Sequence, residues 1–298
     1  MTDRAKGIFA ITASAFGFAL MAFFVRLCDE FGGPVSSFQK SLFRNIIAFA
    51  IALFVYLRQG ADNEGGASQR MFPPCMGAKA WFLLVLRSVS GGIGIFGNFY
   101  ALGKIPIGEA MTLNKTAPFF TVLFSWLFLR EKASARRLLW ILLAFVGAML
   151  VMKPGFQGTA TFATLCALGG GLGAGIAYTC VRELGILKVN GAFIVLFFSA
   201  FSTLACIPFI AWQGADPMTF AQTLTLLGAG CGAAVGQFGV TAAYRFAPPN
   251  QIAVFDYTNV IFTSLLGFAF LSPRQVPDLL SALGFAIIVL AAIRSRRT

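Results

Sequence analysis

Six ionisable side chains fall inside long apolar stretches of this 298-residue chain: Lys40, Arg44, Arg87, Glu109, Lys115 and Asp256. A charge held in hydrocarbon is costly, so such groups usually face a cavity or a partner and are functional candidates by default. Depth separates them. Lys40 stands near the outer end of its stretch, where a lysine can snorkel to the headgroups. Arg44 lies one helical turn deeper, beside Asn45. Arg87 sits well inside the third stretch, where it can bind a ligand or partner a helix-end carbonyl or Asp256. Glu109 opens the fourth stretch, and a carboxylate at a helix N-terminus is electrostatically favoured, so capping is its expected task.

Lys115 and Asp256 sit six to eight residues inside their stretches, deeper than Lys40. Lys115 can bind a carboxylate or phosphate, Asn114 beside it can donate and accept hydrogen bonds, and Asp256 can pair with an amine or a proton. Tyr257, with Tyr100, Tyr178 and Tyr244, supplies apolar faces that carry a hydroxyl. The structural alternative is that Lys115 and Asp256 simply neutralise each other across a bundle.

Other chemistry lacks its residues. The chain contains no histidine, which removes imidazole ligands, bases and relays. Its six cysteines are scattered without a C-x-x-C spacing and read as small apolar filler. No nucleophile-base pair, paired-carboxylate set or phosphate loop stands out, because the glycine runs lie within apolar stretches. The expectation is a protein that is not an enzyme, with no catalytic residues, no metal and no cofactor. The net charge of +12 is spread over short clusters, not one long basic run, so nucleic acid is not an expected partner.

The elements that carry these residues follow from composition. With 58% hydrophobic and 11% charged residues and a mean hydropathy of +0.80, the chain has too few charges to coat a soluble body, and lipid is its solvent. A span needs about 20 mostly apolar residues. That window predicts ten, over 7–27, 36–57, 80–101, 107–129, 137–152, 162–182, 191–211, 220–244, 250–271 and 278–293. The fold expected is an all-α integral membrane protein. Lys and Arg favour cytoplasmic loops. Placing both termini in the cytoplasm collects most loop cations there and leaves only Arg26, Lys104, Lys153 and Arg274 outside. The segment 58–79 reads as a linker, and Lys153-Pro154-Gly155-Phe156-Gln157-Gly158 as a connecting turn between a first half, 1–152, and a second, 159–298.

A shift of 142 residues sets Ala101 on Ala243, Pro106 on Pro248, Thr116 on Thr258, Phe120 on Phe262 and Phe128 on Phe270 without a gap. It also sets Asn114 on Asp256 and Lys115 on Tyr257. Five spans per half would point the two copies in opposite directions, the inverted repeat on which many secondary transporters are built. Each pair would then approach the midplane from its own side, where an alternating-access carrier needs its ligands. Gly169-x3-Gly173, Gly171-x3-Gly175, Gly228-x3-Gly232 and Gly232-x3-Gly236 are expected to let helices approach closely.

Leu86-Arg87, Asn98-Phe99-Tyr100-Ala101-Leu102, Ile105-Pro106, Asn114, Thr116-Ala117-Pro118 and Leu127-Phe128-Leu129-Arg130-Glu131-Lys132 form a recognisable series. Tyr178, Arg182, Gln237, Ala243-Tyr244-Arg245, Ala247-Pro248 and Asp256-Tyr257-Thr258 continue it in the second half. In these residues the chain resembles the EamA family of the drug/metabolite transporter superfamily. The resemblance implies ten transmembrane helices in two inverted five-helix repeats, with a central cavity formed largely by the third, fourth, eighth and ninth spans. It adds Asn98 and Gln237 to the substrate-binding candidates Asn114, Lys115, Asp256, Tyr257, Arg87, Arg44, Tyr100 and Tyr178. Amino acids, amino-acid-derived compounds such as S-adenosylmethionine, and vitamins are the cargoes it implies.

Two positions depart from the family pattern. Pro273 stands where a Glu is expected at the end of the ninth span, and Lys115 where an aromatic or small residue is usual. The excess of intramembrane cations favours a substrate with at least one anionic group. The function expected is secondary transport of a small polar metabolite across the inner membrane by alternating access, in a multi-pass protein acting as monomer or homodimer. A membrane-embedded lipid-modifying enzyme and a non-transport membrane subunit are the alternatives.

Overall fold

In lipid, a backbone must satisfy its own polar groups, and a helix does so within one segment. The computed structural model describes residues 1–62, 76–102, 104–105, 107–155, 161–270 and 278–296, and every regular element among them is helical. The helices are α1 (Asp3–Glu30), α2 (Ser37–Asp62), α3 (Ala78–Leu102), α4 (Ile107–Asn114), α5 (Ala117–Leu129), α6 (Ala135–Met152), α7 (Thr161–Ile186), α8 (Gly191–Gln213), α9 (Phe220–Phe246), α10 (Pro249–Ile252), α11 (Thr258–Phe270) and α12 (Leu279–Arg296). A 3-10 turn over Ala253–Tyr257 joins α10 to α11. Polar caps fix several starts: Thr2 for α1, Ser134 for α6, Asn190 for α8, and Thr219 with Gln222 as a reciprocal capping box for α9.

Nine described segments are long and apolar enough to cross a membrane, and they match nine of the ten predicted spans. The fourth predicted span, 107–129, is not one helix. Pro118 has no N–H to give to the Asn114 carbonyl. The next amide, Phe119 N, turns to Thr116 O at 3.0 Å, so the Lys115 carbonyl is also left out of the ladder. Tyr257 takes it up from the other half of the chain, its hydroxyl donating to Lys115 O at 3.0 Å. The ninth span also deviates from a plain helix. It begins at Pro248-Pro249, tightens into the 3-10 turn that contains Asp256, and resumes as α11. Both departures from helix lie near the middle of their spans.

Helix pairing runs between distant parts of the chain. α1 packs along α9, α3 along α7, α2 along α8 and α6 along α12, while α5 also rests on α7. Small residues set the first of these distances: a Cβ on Gly17 would lie 2.6 Å from the Gly236 amide nitrogen, and Ser14 donates to the Gly236 carbonyl at 2.7 Å. The glycines of α7 divide their tasks. Gly173 meets the Ser90 carbonyl of α3, Gly171 meets Thr116 and the Leu113 carbonyl at the break of the fourth span, and Gly169 has open space around it.

The guanidinium of Arg4 donates to Ser295 O at 2.6 Å, which places the start of α1 and the end of α12 at one end of the bundle. That end is heavily tied. Arg182 on α7 donates to Glu131 at 2.8 Å and to the Tyr244 carbonyl at 3.2 Å, Asn250 donates to the Lys132 carbonyl at 2.8 Å, and Lys79 pairs with Glu183. At the far end, Asp216 accepts from Ser36 N at 2.7 Å and Gln222 donates to Gly33 O at 3.0 Å. Lys40 also belongs to the far end. It does not reach for the headgroups as expected but pairs with Asp29 at 2.6 Å, because the turn after α1 brings that carboxylate over the start of α2.

Parts of the expected linker 58–79 and of the turn 153–158, the match at Pro106, the side chain of Glu109, and Pro273 and Arg274 lie outside the described residues.

Candidate functional site

A cavity of about 240 Å³ lies between the two irregular spans. Its walls come from α1, α2, α3, α4, α5, α7, α8, α9 and the 3-10–α11 segment. The lining residues lie in the far half of α1 (Phe18 to Ala22) and α2 (Arg44), across the middle of α3 (Arg87 to Asn98) and α7 (Gly170 to Tyr178), and in the half toward the termini on α8 (Phe198) and α9 (Gln237).

Helix periodicity explains which side chains turn inward. On α3, Arg87, Gly91, Gly94 and Asn98 recur at intervals of three or four and share a face. Asp256, Asn259 and Thr263 do the same in the ninth span. The structure brings together eight of the ten predicted residues on the cavity wall: Arg44, Arg87, Asn98, Asn114, Lys115, Tyr178, Gln237 and Asp256. It leaves out two. Tyr257 is fully buried behind the wall and spends its hydroxyl on the Lys115 carbonyl, so it holds the break together. Tyr100 is 46% exposed and packs edge-to-face on Phe162.

Arg87 is the most confined charge. It is 2% exposed, and its guanidinium lies 3.5 Å from the centre of the Phe198 ring. Nη2 donates to Gln237 Oε1 at 2.8 Å, whereas Nε and Nη1 are buried without a partner. Arg44, 8% exposed, makes only long contacts, to Asn45 Oδ1 at 3.3 and 3.4 Å and to the Met21 sulfur at 3.7 Å. Among the described residues neither arginine forms an ion pair with a carboxylate. The pairing of Arg87 with Asp256, one of the alternatives for this residue, does not occur.

Lys115 and Asp256 face each other from the two irregular spans, with Nζ 3.8 Å from Oδ2, too far for a hydrogen bond. Local dipoles help to hold both charges. Lys115 follows the C-terminus of α4, where a cation is favoured, and Asp256 precedes the N-terminus of α11, where an anion is favoured. The cavity thus presents three cations, one carboxylate and the amides of Asn98, Asn114, Gln237 and Asn259. Asn259 and Thr263 escaped the sequence reading although their spacing from Asp256 carries the signal; Phe198 gave none, being one of 34 phenylalanines.

A buried polar cavity between interrupted spans, without catalytic or metal-binding constellation among the described residues, has the character of a carrier's binding site. The model of the EamA-like transporter family matches residues 5–153. A pseudopaline exporter, CntI, of Pseudomonas aeruginosa (strain UCBPP-PA14) is 30% identical over 98% of this chain and 96% of its own. The chain belongs to the EamA-like transporter family. It is therefore a multi-pass membrane transporter. A riboflavin transporter of Vibrio cholerae is also 30% identical, over 83% of this chain and 79% of that one. A solved crystal structure superposes with a TM-score of 0.76 over 95% of this chain and 96% of the other, at 18% identity, and so agrees in fold.

Proposed function

We propose that this EamA-like protein carries a small polar metabolite bearing at least one anionic group, an amino acid or amino-acid-derived compound, across the inner membrane by alternating access. The observation that carries the reading is Arg87: a buried guanidinium on the cavity wall with two unpartnered nitrogens. An unpaired buried charge is unfavourable by several kcal/mol, and an anionic ligand would relieve it. That relatives are named a pseudopaline exporter and a riboflavin transporter supports a small-molecule cargo.

Alternating access rests on two further features. The first is symmetry: exchanging each of the first five spans with the one five places later turns the α1–α9 pairing into the α7–α3 pairing and leaves α2–α8 and α6–α12 unchanged. That invariance supports two inverted halves, 1–152 and 159–298. The second is the ion pair at the termini end. Glu131 and Arg182 latch the termini end below the cavity, and Arg182 also gathers the C-terminal carbonyls of α9. We read the latched end as the closed one, the end that would open when the latch is released. Loop charge puts the termini in the cytoplasm, and labelling of a cysteine in the 58–79 segment exclusively from outside would reverse that orientation.

The test is uptake of labelled amino acids and derivatives into proteoliposomes, with and without a pH gradient, alongside an Arg87→Gln variant and empty vesicles. Saturable flux that Arg87→Gln abolishes is expected. No flux above blank for any anionic candidate, or flux indifferent to Arg87→Gln, rejects the reading.

A further inference from the structure

The charges on the cavity wall do not balance, and the imbalance bears on the ligand's own charge. Lys115 and Asp256 offset one another at 3.8 Å, leaving Arg44 and Arg87 as two guanidinium groups without a carboxylate partner among the described residues. Both are more than nine-tenths buried. Arginine stays protonated under physiological conditions, so neither site can neutralise itself by releasing a proton as a buried lysine would. Water reaching a cavity of about 240 Å³ solvates them only in part, since Arg44 is 8% and Arg87 2% exposed.

The partners that the two arginines do have are oriented as scaffolding. Phe198 lies against one face of the Arg87 guanidinium and Gln237 takes one nitrogen, which fixes the plane and leaves Nε and Nη1 free. Asn45 is the immediate chain neighbour of Arg44 and receives two of its nitrogens through one oxygen. A held cation with free donors is arranged for oxyanion recognition. Two such cations, on different helices, call for two negative charges.

Resting on the reading of this cavity as the transport site, we propose that its ligand is a compact dianion whose two negative charges are shared between Arg44 and Arg87. Two carboxylates on a short chain and a single phosphate monoester share this chemistry. They differ in how far apart the charges lie.

Thermal unfolding and calorimetric titration of the full-length detergent-purified chain test this with three probes: succinate, inorganic phosphate and the neutral succinamide. Stabilisation by succinate or phosphate but not by succinamide is expected, and the better of the two anions identifies the charge spacing. Arg44→Gln and Arg87→Gln should each weaken that anion at least tenfold, and the loss should be smaller for the monoanion butyrate, which needs only one of the two. Equal effects of succinamide and the anions, or anion binding that survives in both arginine variants, would overturn the proposal. Its failure is separable from that of the transport reading. Proteoliposomes that carry a neutral or cationic solute in an Arg87-dependent manner would reject the dianion and keep transport, whereas arginine-dependent anion binding without flux would keep the dianion and reject transport at this site.

Discussion

A guanidinium taken out of water destabilises a protein unless its donors find partners, and Arg87 satisfies only some of its own. Exchange for an apolar side chain of similar length should therefore help the fold and harm the site. Arg87→Met is expected to unfold at the same temperature as the wild type or higher, a gain of up to about 4 kcal/mol, while losing ligand binding. A fall in melting temperature would make Arg87 a structural residue. Lys115 calls for a paired measurement. With its ammonium 3.8 Å from Asp256 and both side chains partly open, Lys115→Ala should lose affinity yet keep its melting temperature. If the pair instead supports the fold, Lys115→Ala will be destabilised and Asp256→Asn in the same chain will repair it. Lys40→Ala should leave binding unchanged, since Lys40 is occupied by Asp29 away from the cavity. The cost of charge in hydrocarbon made the cavity's ionisable residues legible from sequence. Azimuth was not legible: in a span apolar on every side, composition does not say that Tyr178 turns inward while Tyr100 packs against Phe162 near the surface.

The two irregular spans position these residues, and their neighbours make space for them. Gly171 on α7 lies where a Cβ would press on Thr116 and come within 2.9 Å of the Leu113 carbonyl, so the break of the fourth span fits only against hydrogen. Gly171→Ala is expected to cost about 1–3 kcal/mol in thermal unfolding and to weaken ligand binding, because the backbone must shift beside Asn114 and Lys115. Gly169→Ala, two residues earlier with nothing nearby, should be silent in both assays and serves as the control. Equal behaviour of the two would dissociate the break from its glycine seat. Span lengths and ends were readable because hydropathy and caps are local. The break at Asn114–Thr116 was only half readable. Pro118 announces a lost hydrogen bond, but whether a helix bends through it or stops depends on what donates to the freed carbonyl, and that donor, Tyr257, comes from the other half of the chain.

At the scale of the molecule, the ends of the bundle differ. Glu131 and Arg182 join the loop after α5 to α7 and, through the Tyr244 and Arg245 carbonyls, to the end of α9. The 142-residue shift pairs Glu131 with Pro273, which has no carboxylate to offer. Glu131→Gln should loosen the closed end. In a background without native cysteines, a reporter Thr179→Cys, buried on α7 between latch and cavity, should react several-fold faster with an impermeant maleimide applied from the termini side. An unchanged rate would deny the pair a role in closure. The pairing of α1 with α9 and of α3 with α7 also has a consequence for how the protein is made. A ribosome delivers α1 first, yet the surface that covers Ser14 and Gly17 emerges some 200 residues later. Until then the nascent first helix waits in the bilayer with its most closely packed face bare and the Ser14 hydroxyl without the Gly236 carbonyl. The membrane-insertion machinery must therefore hold or shield early helices until the eighth span arrives, and chains stalled before it would be early targets for membrane proteolysis.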